Sequence, residues 1–206
     1  MNGRNNGRKI GVFGGTFDPP HLGHMILAQE ALDQLKLERV LFVLTADPPH
    51  KRDHQISPIE SRLKLLQAAI EDNPDFFISR VDIDRPPPYY SIDTVKILAD
   101  QDPFAHWVYL MGADSLVDLP KWHDPVGFVK VCNGLGVIRR PNIEIDLTNL
   151  EKQIPGITQK VSFVDAPLLE IASCDIRQRV RNCQPYRYYV LPGVYELIQK
   201  LNLYRD

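Results

Sequence analysis

Apolar residues in this chain fall into short runs with two different spacings, and the alternation between those spacings outlines a fold. Lys9-Ile-Gly-Val-Phe13, Arg39-Val-Leu-Phe-Val-Leu44, Phe76-Phe-Ile-Ser-Arg-Val81 and Trp107-Val-Tyr-Leu-Met111 are nearly continuous and rich in β-branched and aromatic residues, which predicts buried strands. Gly136-Val-Ile138 and Ser162-Phe-Val164 predict two shorter ones. Between them the apolar residues take a helical spacing: Leu22, Met25, Ile26, Leu32 and Leu35 recur on one face. Ser57-Pro-Ile-Glu60 predicts a helix start with Ser57 as its cap and Pro58 in first position, turning Leu63, Leu66, Ala69 and Ile70 inward. Further helices are predicted from Ser91 to Ala99, from a Ser173 cap to about Asn182 with Ile176 and Val180 inward, and from Pro192 to about Leu201.

Strands alternating with helices predict an α/β fold, a Rossmann-like doubly wound parallel sheet with a small helical C-terminal part. Ligands of such sheets bind beyond the carboxyl ends of the strands, where strand order reverses. The turn after the first strand, the loop containing Pro48-Pro-His-Lys51, and Gly112-Ala-Asp114 each follow a predicted strand, so their chemistry should converge at one edge.

With 206 residues the chain is expected to form a single domain over 9–206, preceded by a polar, disordered tail at 1–8 without the apolar core of a secretory signal. The net charge of −2 supplies no basic field for nucleic acid, and no apolar run is long enough to cross a membrane. Cys132, Cys174 and Cys183 are odd in number and widely spaced, which fits a reducing cytoplasm better than disulfides or structural zinc. A homo-oligomer is left open. Glu144 to Lys152 has no pattern beyond solvated surface, and Tyr186, Tyr188 and Tyr189 suit helix docking or a subunit contact better than a base-stacking platform.

The densest chemistry is Gly14-Gly-Thr-Phe-Asp-Pro-Pro-His-Leu-Gly-His24. Strand, glycine turn and helix present free backbone N–H groups to a phosphate at a positive helix end. His21 and His24 are spaced to project to one side of that helix. No nucleophile stands out, which favours catalysis by charge stabilisation. Neither a Walker loop nor a dinucleotide Gly-x-Gly-x-x-Gly fingerprint is present. Asp18 has two readings, a metal ligand or a residue that shapes the turn. Near the other end, Glu170-Ile-Ala-Ser-Cys-Asp-Ile-Arg177 places a serine and an arginine at a helix start, either as a second phosphate site or as part of a solvated face with Arg179 and Arg181.

The first segment resembles the Gly-x-Phe-Asp-x-x-His-x-Gly-His signature of the nucleotidyltransferase superfamily. The second resembles that superfamily's Ile-Ser-Ser-Thr-x-Ile-Arg, departing from it at Ala172 and Cys174, which puts side-chain contacts at those two positions in doubt. Pro48-Pro-His-Lys51, Tyr90-Ser-Ile-Asp-Thr94, Gly112-Ala-Asp114, Trp122-His123 and Arg140-Pro141 are similar to the set found in bacterial nicotinate-nucleotide adenylyltransferases. The resemblance implies the nucleotidyltransferase type of sheet and attack of nicotinate mononucleotide on ATP. It implies ATP contacts from Gly14, Gly15, Thr16, Phe17, His21, His24, Gly112, Asp114, Arg140, Ser173 and Arg177, with His21, His24 and Arg177 catalytic. It assigns His50, Lys51, Thr94 and Trp122 to the acceptor, and Mg²⁺ to the nucleotide's own phosphates. The alternatives are a related adenylyltransferase for nicotinamide mononucleotide or phosphopantetheine, and a nucleotide-binding sensor without turnover.

Overall fold

The computed structural model describes residues 7–46, 56–139, 143–167 and 169–205. His50, Lys51 and Arg140, with the loop motif around Pro48 and Pro141, lie outside the described residues. Six strands form one sheet: Lys9–Gly15 (β1), Arg39–Leu44 (β2), Phe76–Ser79 (β3), His106–Gly112 (β4), Gly134–Ile138 (β5) and Val161–Val164 (β6). They run in the order β3-β2-β1-β4-β5-β6 and every neighbouring pair is parallel. Eight α-helices accompany them: Leu22–Gln34 (α1), Ile59–Ile70 (α2), Ser91–Gln101 (α3), Ala113–Asp118 (α4), Pro125–Val131 (α5), Leu147–Gln153 (α6), Ser173–Arg181 (α7) and Pro192–Lys200 (α8). This is the predicted doubly wound arrangement, and β1 and β4 flank its switch point.

Both faces of the sheet are covered, which is why its central strands read as unbroken apolar runs. Along β4, Trp107, Tyr109 and Met111 enter one core with α3, α4 and α5, while Val108 and Leu110 enter the other with α1, α2, α7 and α8. β2 alternates likewise, with Val40, Phe42 and Leu44 on the α1 side and Val43 opposite. Tyr186 is buried in the α1-side core, 5.0 Å from the Tyr195 ring of α8, and its hydroxyl accepts from Gln199 Nε2; this is the helix docking expected of it.

Four expectations need correction. Arg8 is part of the fold, because its carbonyl accepts from His106 N–H and its guanidinium pairs with Asp102. α2 begins one residue late, with Pro58 as its N-cap at ψ 142° and the first intrahelical hydrogen bonds accepted by the Pro58 carbonyl. α7 is capped by the extended backbone of Ala172, so Ser173 is its first helical residue. The stretch read as surface between Glu144 and Lys152 contains α6, anchored by buried Leu150 and by the Asp146 carboxylate accepting from Asn149 N–H. A seven-residue helix with one buried side chain is too short to register a period.

Candidate active site

β1 ends in two glycines because large groups lie against them. A Cβ on Gly14 would sit 2.7 Å from the Tyr109 hydroxyl, and one on Gly15 would sit 2.8 Å from the Phe17 ring. Phe17 then adopts φ 48°, a left-handed conformation uncommon outside glycine, and the Asp18–Pro19 peptide is cis. Phe17 is held there by burial, its ring edge-on to Phe13 at 5.5 Å and to His24 at 5.1 Å. The turn delivers the chain to His21, the extended N-cap of α1. The His21 N–H donates to His24 Nδ1 at 3.2 Å, and the two imidazoles lie 3.6 Å apart. His21 and His24 therefore stand together at the helix end expected to meet phosphate, as their spacing predicts.

Asp18 is tied to the chain on both sides of its turn. It is 3 % exposed; one carboxylate oxygen accepts from Ser57 N–H at 3.1 Å and the other from the Tyr204 hydroxyl at 2.7 Å. These two bonds brace the turn from the chain ahead of α2 and behind α8. The Asp18 carbonyl accepts from Arg177 Nη1 at 2.7 Å, and the neighbouring Pro19 carbonyl accepts from Ser173 Oγ at 2.8 Å. The second signature is thereby fastened to the first across more than 150 residues of sequence. The N-termini of α1 and α7 both present helix amides at this turn. A cleft of ≈ 320 Å³ runs along α7, lined by Ile171, Ala172, Asp175, Gln178, Arg179 and Tyr189.

The sequence reading missed Arg62, whose relative exposure is only 2 %. Its guanidinium donates to the carbonyls of Ser57, Thr16, Thr45 and Ala46 at 2.7–3.1 Å, tying the exits of β1 and β2 to α2. The signal was present: Arg62 falls on the same face as Leu65, Leu66 and Ala69, an arginine on an apolar stripe. Tyr109 was also missed. It shares a 3.1 Å hydrogen bond with Ser91 at the start of α3, and burial pushes its phenol up to about 12.

On the other flank, Trp122 is half-buried against Tyr109 and Phe128, with ring centroids at 6.2 and 5.4 Å. His123 stacks on Tyr90 at 4.0 Å. Thr94, expected to hydrogen-bond the acceptor ring, is 3 % exposed and its hydroxyl donates to Asp82 Oδ1 at 2.8 Å. Arg85 completes that group with a buried ion pair to Asp82 and a bond to the Tyr90 carbonyl. The Thr94 hydroxyl, Asp82 and Arg85 thus form one buried polar group at the start of α3. Gly112 ends β4 and caps α4, and Asp114 lies in the first turn of α4 and is not its cap.

Known proteins share this organisation. Residues 12–179 match the family model described as cytidylyltransferase-like. The chain is 45 % identical, over 96 % of its own length and 92 % of the relative's, to a probable nicotinate-nucleotide adenylyltransferase of Thermomicrobium roseum. It is 39 % identical to one of Exiguobacterium sibiricum, over 95 % of this chain and 98 % of that protein. Among solved structures, Plasmodium falciparum nicotinic acid mononucleotide adenylyltransferase complexed with NaAD superposes with a TM-score of 0.76 at 20 % identity, covering 96 % of this chain and 97 % of that one. A putative nicotinate-nucleotide adenylyltransferase from Vibrio parahaemolyticus gives a TM-score of 0.66 at 19 % identity, covering 97 % and 96 %.

Proposed function

Because this chain belongs to the cytidylyltransferase-like family, on its nicotinate-nucleotide adenylyltransferase branch, we infer that it transfers the adenylyl group of ATP to nicotinate mononucleotide. A 5′-phosphate oxygen of the acceptor forms a bond to the α-phosphorus of ATP. The bond from that phosphorus to the oxygen bridging to the β-phosphate breaks, and pyrophosphate leaves beside nicotinate adenine dinucleotide. The observation that carries the reading is the junction of the two signatures, in which Ser173 and Arg177 hold the carbonyls of the Asp18–Pro19 turn.

The residues divide the work by position. His21, His24 and the first amides of α1 face the α-phosphate, where charge grows in the transition state. Ser173 uses its hydroxyl proton on Pro19, so its contribution to the β- and γ-phosphates comes from the α7 backbone amides. That route tolerates Ala172 and Cys174, since amides are indifferent to the side chains they carry. Arg177 spends one N–H on Asp18 and keeps the rest of its fork for phosphate oxygens. Gly112, Asp114 and Arg140 belong to the nucleoside side of ATP. His50 and Lys51 take the acceptor phosphate, and the half-exposed Trp122 stacks on the pyridine ring. Mg²⁺ carried by the nucleotide would neutralise charge on the departing pyrophosphate. Three free thiols suit a cytoplasmic setting for this work.

The test is an acceptor comparison with MgATP and, in turn, nicotinate mononucleotide, nicotinamide mononucleotide and phosphopantetheine. Turnover should be fastest with the first; adenylylation of phosphopantetheine alone would refute the assignment. In the same assay His24→Ala should lower kcat by about 10²- to 10³-fold while ATP affinity changes little, since the imidazole acts mainly in the transition state. An unchanged kcat would remove His24 from the mechanism, and equal ATP binding without turnover in the parent would favour a sensor.

A further inference from the structure

The signature turn is held from behind by a residue that the family signatures do not include. α8 stops at Lys200, and the chain reverses through Asn202 at φ 51°. The Asn202 N–H donates to the Gln199 carbonyl at 3.2 Å and the Leu203 N–H to the Ile198 carbonyl at 3.1 Å, the pairing that closes a helix when the next residue is left-handed. Asparagine is the residue after glycine best suited to that position. Tyr204 follows, itself at φ 64°, and its side chain turns back into the α1-side core. Its hydroxyl reaches Asp18 Oδ1 at 2.7 Å, 186 residues away in sequence. Burial, and then the negative charge of Asp18, push the Tyr204 phenol well above its ordinary range, so it remains a donor throughout the working pH range.

Asp18 lies between Phe17, which packs on His24, and His21, which caps α1. Both oxygens of its carboxylate are held, one by the Ser57 N–H ahead of α2 and the other by Tyr204 behind α8. Release of either one frees the carboxylate to rotate within a turn that already carries a left-handed Phe17. Resting on the adenylyl-transfer reading above, we propose that Tyr204 is a positioning residue for catalysis: through Asp18 it sets where His21, His24 and the α1 amides stand against the α-phosphorus. The segment after α8 is thereby part of the machinery that aligns the reaction, although it touches neither substrate.

Tyr204→Phe removes one hydroxyl and keeps the ring that packs the core. Its kcat with MgATP and nicotinate mononucleotide should fall about tenfold or more with both KM values within twofold, because misplacement at the reacting centre is felt chiefly in the transition state. Ile154→Val, fully buried in the core on the opposite face of the sheet, controls for stability. It should lower the melting temperature and leave kcat at 25 °C unchanged. A parental kcat in Tyr204→Phe would overturn the proposal, as would a loss of kcat in both variants in proportion to their loss of stability. Amide hydrogen exchange supplies a readout independent of turnover: Tyr204→Phe should accelerate exchange at His21 to Met25 selectively. If the parent adenylylates no acceptor, the functional reading fails, and this exchange pattern alone decides whether Tyr204 holds the turn; unaltered exchange would refute it.

Discussion

Arg62 fixes the backbone from which the candidate site is built. Four carbonyls at the exits of β1 and β2 and before α2 converge on one buried guanidinium. Its planar fork of donors is what allows this, and a lysine ammonium cannot reproduce it. Replacing Arg62 with methionine keeps the volume and orphans those carbonyls, which should cost about 2–4 kcal/mol of stability. On the proposed function, with Thr16 in the turn for ATP and Ala46 directly before the loop with His50 and Lys51, KM should rise for both substrates. Thermal melts and steady-state kinetics check both effects, and Arg62→Lys should rescue neither fully. At the same scale, Phe17 accepts a left-handed backbone because its ring is buried among Phe13, His24 and Phe42, an example of local strain retained where it aims functional groups.

Helix ends, more than helix bodies, decide what the elements deliver to the site. α1, α7 and α8 each close with the same reversal, through Lys36 at φ 54°, Cys183 at φ 54° and Asn202 at φ 51°. After α7 the Gln184 N–H donates to the Arg179 carbonyl at 2.8 Å and the Cys183 N–H to the Val180 carbonyl at 3.1 Å. A non-glycine residue in this conformation carries a steric penalty, and the Cys183 side chain is exposed with little packing to lose. Cys183→Gly should therefore stabilise the protein by about 0.5–1 kcal/mol, a rise of roughly 1–4 °C in Tm for a domain of this size. Differential scanning calorimetry under reducing conditions checks it, and kcat should not change. At their starts, α1 and α7 meet at one turn, where two weak dipoles would add for the polyphosphate proposed above.

Across the described residues, two cores lie on opposite faces of one sheet, and the candidate site lies beyond β1 and β4 at the switch point. α1 and α7 come from the α1-side core, whereas Trp122 and the α3 start belong to the other. Tyr109 links the two layers, its hydroxyl lying against Gly14 and bonding Ser91. A ligand gripping the α1-side layer should stabilise the folded state by mass action. MgATP at a hundred times its Kd contributes about 2.7 kcal/mol, which should raise Tm by roughly 5–10 °C. Nicotinate mononucleotide added afterwards should raise it again, and no shift with either would argue against binding at this site.

The layer order and most element boundaries were legible in the chain because burial on both faces leaves a continuous apolar run in a central strand. Arg39 to Leu44 is such a case, matching β2 at both ends. The two signatures were legible because phosphate chemistry needs particular residues next to one another: glycines, two histidines, a serine and an arginine. Three features were invisible locally. Short helices such as α6 have too few turns to show a period. Thr94 carries no mark of whether its hydroxyl faces a ligand or Asp82. Asp18 is the same residue whether it meets a metal or Tyr204, and a partner 186 positions away leaves no trace in its neighbourhood. The sequence by itself determined which chemical groups this protein owns and which fold carries them. Only the tertiary structure decided which of those groups are already committed to one another, because a hydrogen bond consumes a donor and an acceptor that local sequence leaves unassigned.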